Sequence, residues 1–412
     1  MNDRPTSALA LLRFNRPLRR LVLSRAISLV GSAMGLVALL LHLASSAGVA
    51  AVVLLLLAGD LLPGILAPLT GVAADRFERR RLMIACELGQ AVATAIIAIW
   101  LPPVLVLLAL FACRSVLGQI FQAASRTAVT SLVTDEQLPA ANAAVGFGEH
   151  GIAVLGPLIA ALLVPIAGIP GVLLLDAGTF LLSALLILGL PPVAVETDSA
   201  AEDSAFRDVL HGLRGGWAGR EVRIVIISFT VVVLFNAIDD VALVFLGGDS
   251  LDATSSGTSL LYAGSAAGLL VGFAVLGRAS ALAPSAVLLV AGYLISSLGN
   301  LVTGLAWSVP AAIGLQLIRG IGIAAQDVAA TTMIQRSVPR AVQGRVFATF
   351  YGGLGIAAGI SYLAGGLLLQ LVGPRLTFVV AGVGGVLAAV VTAFLLPAAA
   401  YRRTVPPPPV GG

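Results

Sequence analysis

Seven carboxylates lie inside long apolar runs, where a carboxylate is hardest to keep: Asp60, Glu87, Glu149, Asp176, Asp239, Asp240 and Asp327. Only Arg114 and Arg319 lie as deep among the bases. A buried acid must find a cation, find water or take up a proton. Seven acids against two bases leave several on the last two routes. Exchange of a proton between two aqueous sides is the chemistry such a set can carry. Asp60 falls near the middle of its run and Glu149 about a third of the way in. Asp239 and Asp240 are adjacent, and neighbouring carboxyls titrate as a pair. These four acids, with Arg114, are the candidates for proton coupling or substrate contact. Glu87, Asp176 and Asp327 lie nearer run ends, where helix capping or pairing with loop arginines is expected. His150, beside Glu149, either joins a relay or packs through a hydrogen bond.

No other reactive constellation accompanies them. The three histidines, His42, His150 and His211, are scattered. Cys86 and Cys113 fall within apolar runs and read as small buried hydrophobes. No metal site, no cofactor beyond a proton gradient and no enzyme activity is expected. A membrane enzyme would need clustered ligands or a nucleophile on one face.

The runs must position these acids. Of 412 residues, 58% are hydrophobic and only 11% charged, with a mean hydropathy of +1.04. Soluble domains are about a quarter charged, so this composition belongs in a bilayer. A span needs about 20 apolar residues. The runs are long and lack period-two alternation, so they are helices and not barrel strands. Six fall at approximately 20–44, 48–73, 82–101, 103–126, 140–166 and 170–192. Six more fall at approximately 222–246, 256–277, 282–306, 309–335, 342–372 and 374–397. The fold class is therefore an all-α membrane protein of twelve transmembrane helices in two six-helix bundles, 20–192 and 222–397. An Arg-rich arm, 1–19, should lie along the inner face. The first run is too long for a signal-peptide core and is expected to stay as an uncleaved span. The linker 193–221 opens with the acidic AVETDSAAEDSA, read as disordered, and closes as an interfacial helix. The Pro-rich tail 398–412 has no core to join.

All 24 basic residues are arginine, and the net charge of +4 invites a nucleic-acid partner. Topology explains the charge better. With the N-terminus inside, the cytoplasmic loops, tails and adjoining span ends hold 21 of the 24. Arg114 and Arg319 lie deeper, and Arg375 alone falls outside. That asymmetry places both termini in the cytoplasm of a multi-pass protein of the inner, or plasma, membrane. The halves also resemble each other at an offset near 205: Arg114, before Gly118, matches Arg319, before Gly320 and Gly322. A repeat of six spans suits a carrier with two moving halves.

Small residues recur on helix faces. Asp60, Gly64, Ala67 and Gly71 share one face of span 2, and Glu149, Ala153, Gly156 and Ala160 share one of span 5. Span 8 has Gly264, Gly268 and Gly272; span 11 has Gly352, Gly355, Gly359 and Gly366. Such faces let helix backbones approach in lipid.

Residues 71–81, GVAADRFERRR, carry Gly71, Asp75, Arg76, Arg79 and Arg80 between spans 2 and 3. The pattern resembles the loop between helices 2 and 3 of the major facilitator superfamily, with Glu78 where that family usually has Gly. The resemblance implies a cytoplasmic gate: Gly71 approaching span 11, Asp75 capping a neighbouring helix, and the arginines holding acids or lipid headgroups. It implies that the glycine stripes form the seam between halves, and that Arg114 is linked to proton transfer, with Arg319 its pseudo-symmetric partner. Gly151, Gly156 and Pro157 resemble the helix 5 motif of the exporter branch, with Pro157 bending the helix. DRFERRRLMIA, RSVLGQIFQAASRTAV, DEQLPAANA and GRVF are similar to the drug:proton antiporter branch containing macrolide-efflux and enterobactin-exporter-like proteins. What this implies is a monomeric, proton-coupled exporter of hydrophobic or amphipathic small molecules, its partners being substrate, protons and membrane lipid. A lysophospholipid or lipid flippase, or a siderophore exporter, on the same fold is the alternative.

Overall fold

The computed structural model describes residues 8–66, 77–134, 141, 145, 155–191, 219–279, 284–338 and 340–396. Every regular element among them is helical. The chain divides into two compact units, residues 1–200 and 201–412.

The first unit opens with α1 (Ala8–Phe14) and α2 (Arg16–Ser46). The arm thus contributes structure: Leu11 of α1 is buried with Leu18, Leu21, Met83 and Phe121 at one end of the bundle. Asn15 turns the chain between the two helices. Its side-chain oxygen accepts from the Leu18 N–H at 3.0 Å, and its amide donates to the Leu132 carbonyl at 2.8 Å. The first span therefore begins at Arg16, with Pro17 in its first turn, where no intrahelical donor is lost. Next comes α3 (Gly48–Leu56), a π-turn (Leu57–Leu61) and the short α4 (Leu62–Ile65). Then follow α5 (Arg79–Trp100), α6 (Val104–Leu132) and α7 (Leu155–Leu188). In the second unit are α8 (Arg220–Asn236), α9 (Ile238–Phe245), a π-turn (Leu246–Ser250), α10 (Ser255–Ala279), α11 (Ser285–Gly304), α12 (Val309–Ser337) and α13 (Arg340–Leu395).

Two of these rods are each a pair of spans. α7 breaks at Gly168 (φ 66°, ψ 179°) and α13 at Gly373 (φ 74°, ψ 174°). Positive φ there suits glycine, and the two glycines stand at the same offset, about 205, that relates Arg114 to Arg319. The repeat has copied the corner. Nine described helices are long and apolar enough to span a bilayer. Splitting the two broken rods and adding the shorter apolar Gly48–Leu61 brings the count to twelve. Large apolar side chains stand outward along them, with Ile166 at 82% and Phe394 at 86% exposure. In water that would be ruinous; in lipid it is required. Trp100 and Trp307, at or beside helix ends, are also exposed, as in an interfacial belt.

The glycine stripe of span 8 does a different job from the one the seam reading gives it. A Cβ at Gly264 would lie 2.8 Å from the Ile313 carbonyl oxygen, and one at Gly272 would lie 3.1 Å from the Ile321 Cα. At Gly268 it would overlap the Leu317 carbonyl. This face is consumed by packing of α10 on α12 inside the second unit. Gly156 likewise lies against α2, its Cβ position 2.9 Å from the Val30 carbonyl oxygen and the Met34 nitrogen. The break in α7 falls at Gly168 and not at Pro157. Gly352 and Gly355 have nothing within 4 Å of a Cβ. Gly71, Asp75, Arg76, Glu149 and Gly151 lie outside the described residues.

The described arginines of the 71–81 motif tie the first unit together. Glu78 caps α5, accepting from the Arg80 and Arg81 N–H groups at 3.2 Å each, and pairs with the Arg81 side chain at 3.4 Å. Arg80 donates to the Leu188 carbonyl at 2.6 Å, and Arg79 to the Ser131 hydroxyl at 3.2 Å. Arg20 donates to the Gly189 carbonyl. The carbonyl end of α7 is thus covered by two guanidinium groups, as its dipole favours. Arg375 does the same in the second unit, donating to the carbonyls of Ala306 (2.7 Å), Ser250 (3.2 Å) and Gly304 (3.4 Å).

Candidate transport site

In the first unit a cavity of about 370 Å³ opens among α2, α3, α6 and the π-turn. Asp60 sits on that turn and lines the cavity. The wider ring of the turn is closed by the Leu62 N–H donating to the Leu57 carbonyl, and π-turns of this kind gather at functional sites. The extra residue also shifts the helical phase, so Asp60 and Gly64 do not continue one straight stripe. Half of the cavity's lining residues are polar or charged, among them Arg25, Asp60, Gln90 and Arg114, facing Leu55, Phe111 and Phe121.

Arg114 is buried in that wall, 3.1 Å from Asp176 of α7. Its guanidinium also lies over the rings of Phe111, at 5.4 Å, and Phe180, at 5.2 Å. Aromatic faces help hold a buried cation. Asp176, placed by sequence near a span end and near loop arginines, is instead fully buried and held by an intramembrane arginine. Its space is made by α2. A Cβ at Gly31 would sit 2.7 Å from Asp176 Oδ1, and one at Gly35 would overlap Oδ2. Gly35→Ala is therefore expected to push Asp176 off Arg114 and lower stability by about 1–3 kcal/mol, the usual cost of overpacking. A denaturation midpoint in detergent, read against wild type, checks this. An unchanged midpoint would mean that Asp176 has room to move.

Glu87 is the residue that sequence reasoning undervalued most. It is wholly buried on α5, with Ser28, Ser183, Asp176 and Arg114 as its electrostatic neighbours. Its apolar helical surroundings resemble those of a packing position, and only the fold shows what faces it. Arg25 was also missed, because it lies near a span end. It is buried, lines the cavity and donates to the Ser125 hydroxyl.

The second unit holds its own pair. Arg319 lies 2.7 Å from Asp239 and donates to the Ser265 hydroxyl at 3.1 Å. Gly299 makes the room, since a Cβ there would lie 2.7 Å from Arg319 Cβ. Asp240 plays another part: its carboxylate accepts from the Tyr362 hydroxyl at 3.4 Å and its backbone carbonyl from the Tyr262 hydroxyl at 3.2 Å. The adjacent acids are thus separated into an ion-paired one and a tyrosine-bonded one. The arginines are repeat-related, but their partners are not. At the offset of about 205, Asp176 falls opposite Ala381 and Asp239 opposite Met34. Each half kept its cation and found its own anion.

Two helical units, twelve apolar rods, a repeated corner and a buried arginine–carboxylate pair in each half define a polytopic membrane transporter. The chain belongs to the major facilitator superfamily: the family profile, described as Major Facilitator Superfamily, matches residues 21–247 and again 226–411. A curated relative, described as the uncharacterized MFS-type transporter YfiS of Bacillus subtilis (strain 168), is 24% identical over 339 residues. That match spans 77% of this chain and 78% of the relative. Among solved structures, the nucleoside transporter NupG aligns with a TM-score of 0.76 at 11% identity, covering 92% of this chain and 100% of that one. A POT family transporter in complex with 5-aminolevulinic acid aligns at 0.74 and 14%, covering 93% and 96%. A bacterial homolog of the human lysosomal transporter Spinster, inward-facing and unoccupied, aligns at 0.71 and 14%, covering 95% and 98%. At these identities the structures share the fold.

Proposed function

We propose that this protein is a proton-coupled exporter of amphipathic small molecules in the cytoplasmic membrane, working by alternating access of its two halves. The observation that carries this is the cavity of about 370 Å³ in the first unit, where Asp60 and Arg114 share a wall with Phe111, Phe121 and Leu55. An apolar body fits the leucines and aromatic rings; a polar end meets the charged and amide groups. The mixed wall suits the amphipathic side of the expected cargo. Protons are the driving ion because ionisable groups line or back the cavity, and protonation of one of them can be exchanged against substrate. Asp60, Glu149, Asp239, Asp240 and Arg114 are the proposed coupling and contact residues, and Arg319 holds the second half in register.

A lysophospholipid or other anionic amphiphile is the second reading. It is favoured by Arg25 and Arg114 in the same wall.

Accumulation of fluorescent amphiphiles in pump-deficient cells expressing the chain tests both. We expect lower accumulation, abolished by a protonophore and impaired at equal expression by Asp60→Asn or Glu149→Gln. A panel including anionic lysophospholipid probes separates drug from lipid. Accumulation unchanged by expression for every probe would sink the exporter reading.

A further inference from the structure

Behind the cavity wall, between α2, α5, α6 and α7, lies a group of buried carboxyls with more negative charge than positive. The buried carboxyl of Glu87 is faced by the hydroxyls of Ser183 and Ser28, at the edge of hydrogen-bond geometry, and by no cation of its own. Both oxygens of Asp176 are without a hydrogen bond, although Oδ2 lies 3.1 Å from Arg114. Glu87, Asp176 and Ser183 are each fully buried. They meet because α5 and the second limb of α7 pack together, so that Glu87 comes to Ser183 and Asp176.

The charges do not balance. Two carboxyl groups share one guanidinium, since Arg114 is the cation that acts on both. The other groups facing Glu87 are the hydroxyls of Ser28 on α2 and Ser183 on α7, with the Cys86 thiol next to it in the chain. None of these supplies a positive charge. A second anion in such a place is costly unless it is neutralised. The corresponding position of the second unit holds Gly292, so this surplus acid has no counterpart in the repeat.

We propose that Glu87 and Asp176 hold one exchangeable proton between them, carried on Glu87, with Ser28 as its passage to the cavity. Protonation removes the surplus charge that neither hydroxyl can neutralise. Ser28 and Arg114 both line the cavity and both act on Glu87, and Gln90, one turn along α5, lines it too. The proton therefore lies one side chain from the substrate space. A sodium ion would neutralise the same charge, but it would sit beside the Arg114 guanidinium in a low-dielectric interior, where like charges repel strongly. A proton localised on one carboxyl avoids that.

The inference deepens the proton-coupled reading and rests on it for its physiological role, but its test needs neither substrate nor transport. Infrared difference spectra of the detergent-purified full chain are recorded while pH is stepped, with and without sodium chloride. Expected is a protonated-carboxyl C=O band at neutral pH that shifts in D₂O, disappears in Glu87→Gln and is indifferent to sodium. Ser183→Ala keeps both carboxyls and is expected to shift the band's frequency. This second variant decides the matter if Glu87→Gln does not fold. A band unchanged in both variants, the absence of any such band at neutral pH, or its displacement by sodium overturns the proposal. Loss of export with the band intact would instead count against the exporter reading alone.

Discussion

Arg114→Met is expected to cost the folded protein about 3–5 kcal/mol, the usual range for removing one member of a buried ion pair. The side chain is 5% exposed and its partner carboxylate 0%, so solvent cannot repair the loss. Two acids, Asp176 and Glu87, would then remain in the bundle without a cation. The aromatic contacts with Phe111 and Phe180 are retained in part by the methionine, which keeps the volume and removes the charge. The variant should melt well below wild type in detergent. Adding Asp176→Leu should recover much of the stability, because a buried pair replaced by apolar groups is often neutral or better. Transport should not return, because the cavity wall has then lost a charge that the proposed cycle uses. If Arg114→Met alone melts like wild type, the pair contributes nothing to the fold. If the double variant exports normally, the arginine has no part in transport.

Gly268→Leu is expected to have the second large effect, through a different mechanism. The α10 and α12 backbones touch at this point: a Cβ at Gly268 would lie 2.7 Å from the Leu317 carbonyl carbon and closer still to its oxygen. Backbone cannot rotate aside as a side chain can, so the two helices must part. Overpacking usually costs about 1–3 kcal/mol, sometimes more, and a leucine on a backbone-to-backbone contact belongs at the upper end. Gly264 and Gly272, one turn to either side, would lose their contacts with it. Gly314→Ala on the same α12 is the control. Nothing lies within 4 Å of its Cβ, and alanine favours a helix over glycine by about 1 kcal/mol. That variant should be neutral or slightly stabilised. Equal melting of the two variants would show that the glycine stripe does not set the approach of α10 and α12.

The residues differ in how far sequence alone carried them. Twelve apolar runs and two halves were legible because they depend on local composition and on the bilayer, which acts on every residue in the same way. The repeat-related Arg114 and Arg319 were legible because charge inside an apolar run is costly wherever the run packs. The corner glycines, Gly168 and Gly373, were within reach of the same repeat and were passed over, since a single glycine in a glycine-rich chain carries little signal. Which acid meets which arginine was beyond any periodicity. Asp176 and Asp239 lie 62 and 80 residues from their partners, and the repeat that predicts the cations misplaces both anions. The stripe of span 8 shows the same limit. Spacing identifies a face that admits close approach, but it does not say which neighbour approaches, and here α12 took it. Glu87 looked like a residue near a helix end until α7 brought Ser183 and Asp176 to it. Local composition determines what must be buried and where a charge is costly; only tertiary packing decides which partner relieves that cost, because the relief acts over a few ångströms between residues that are far apart in the chain.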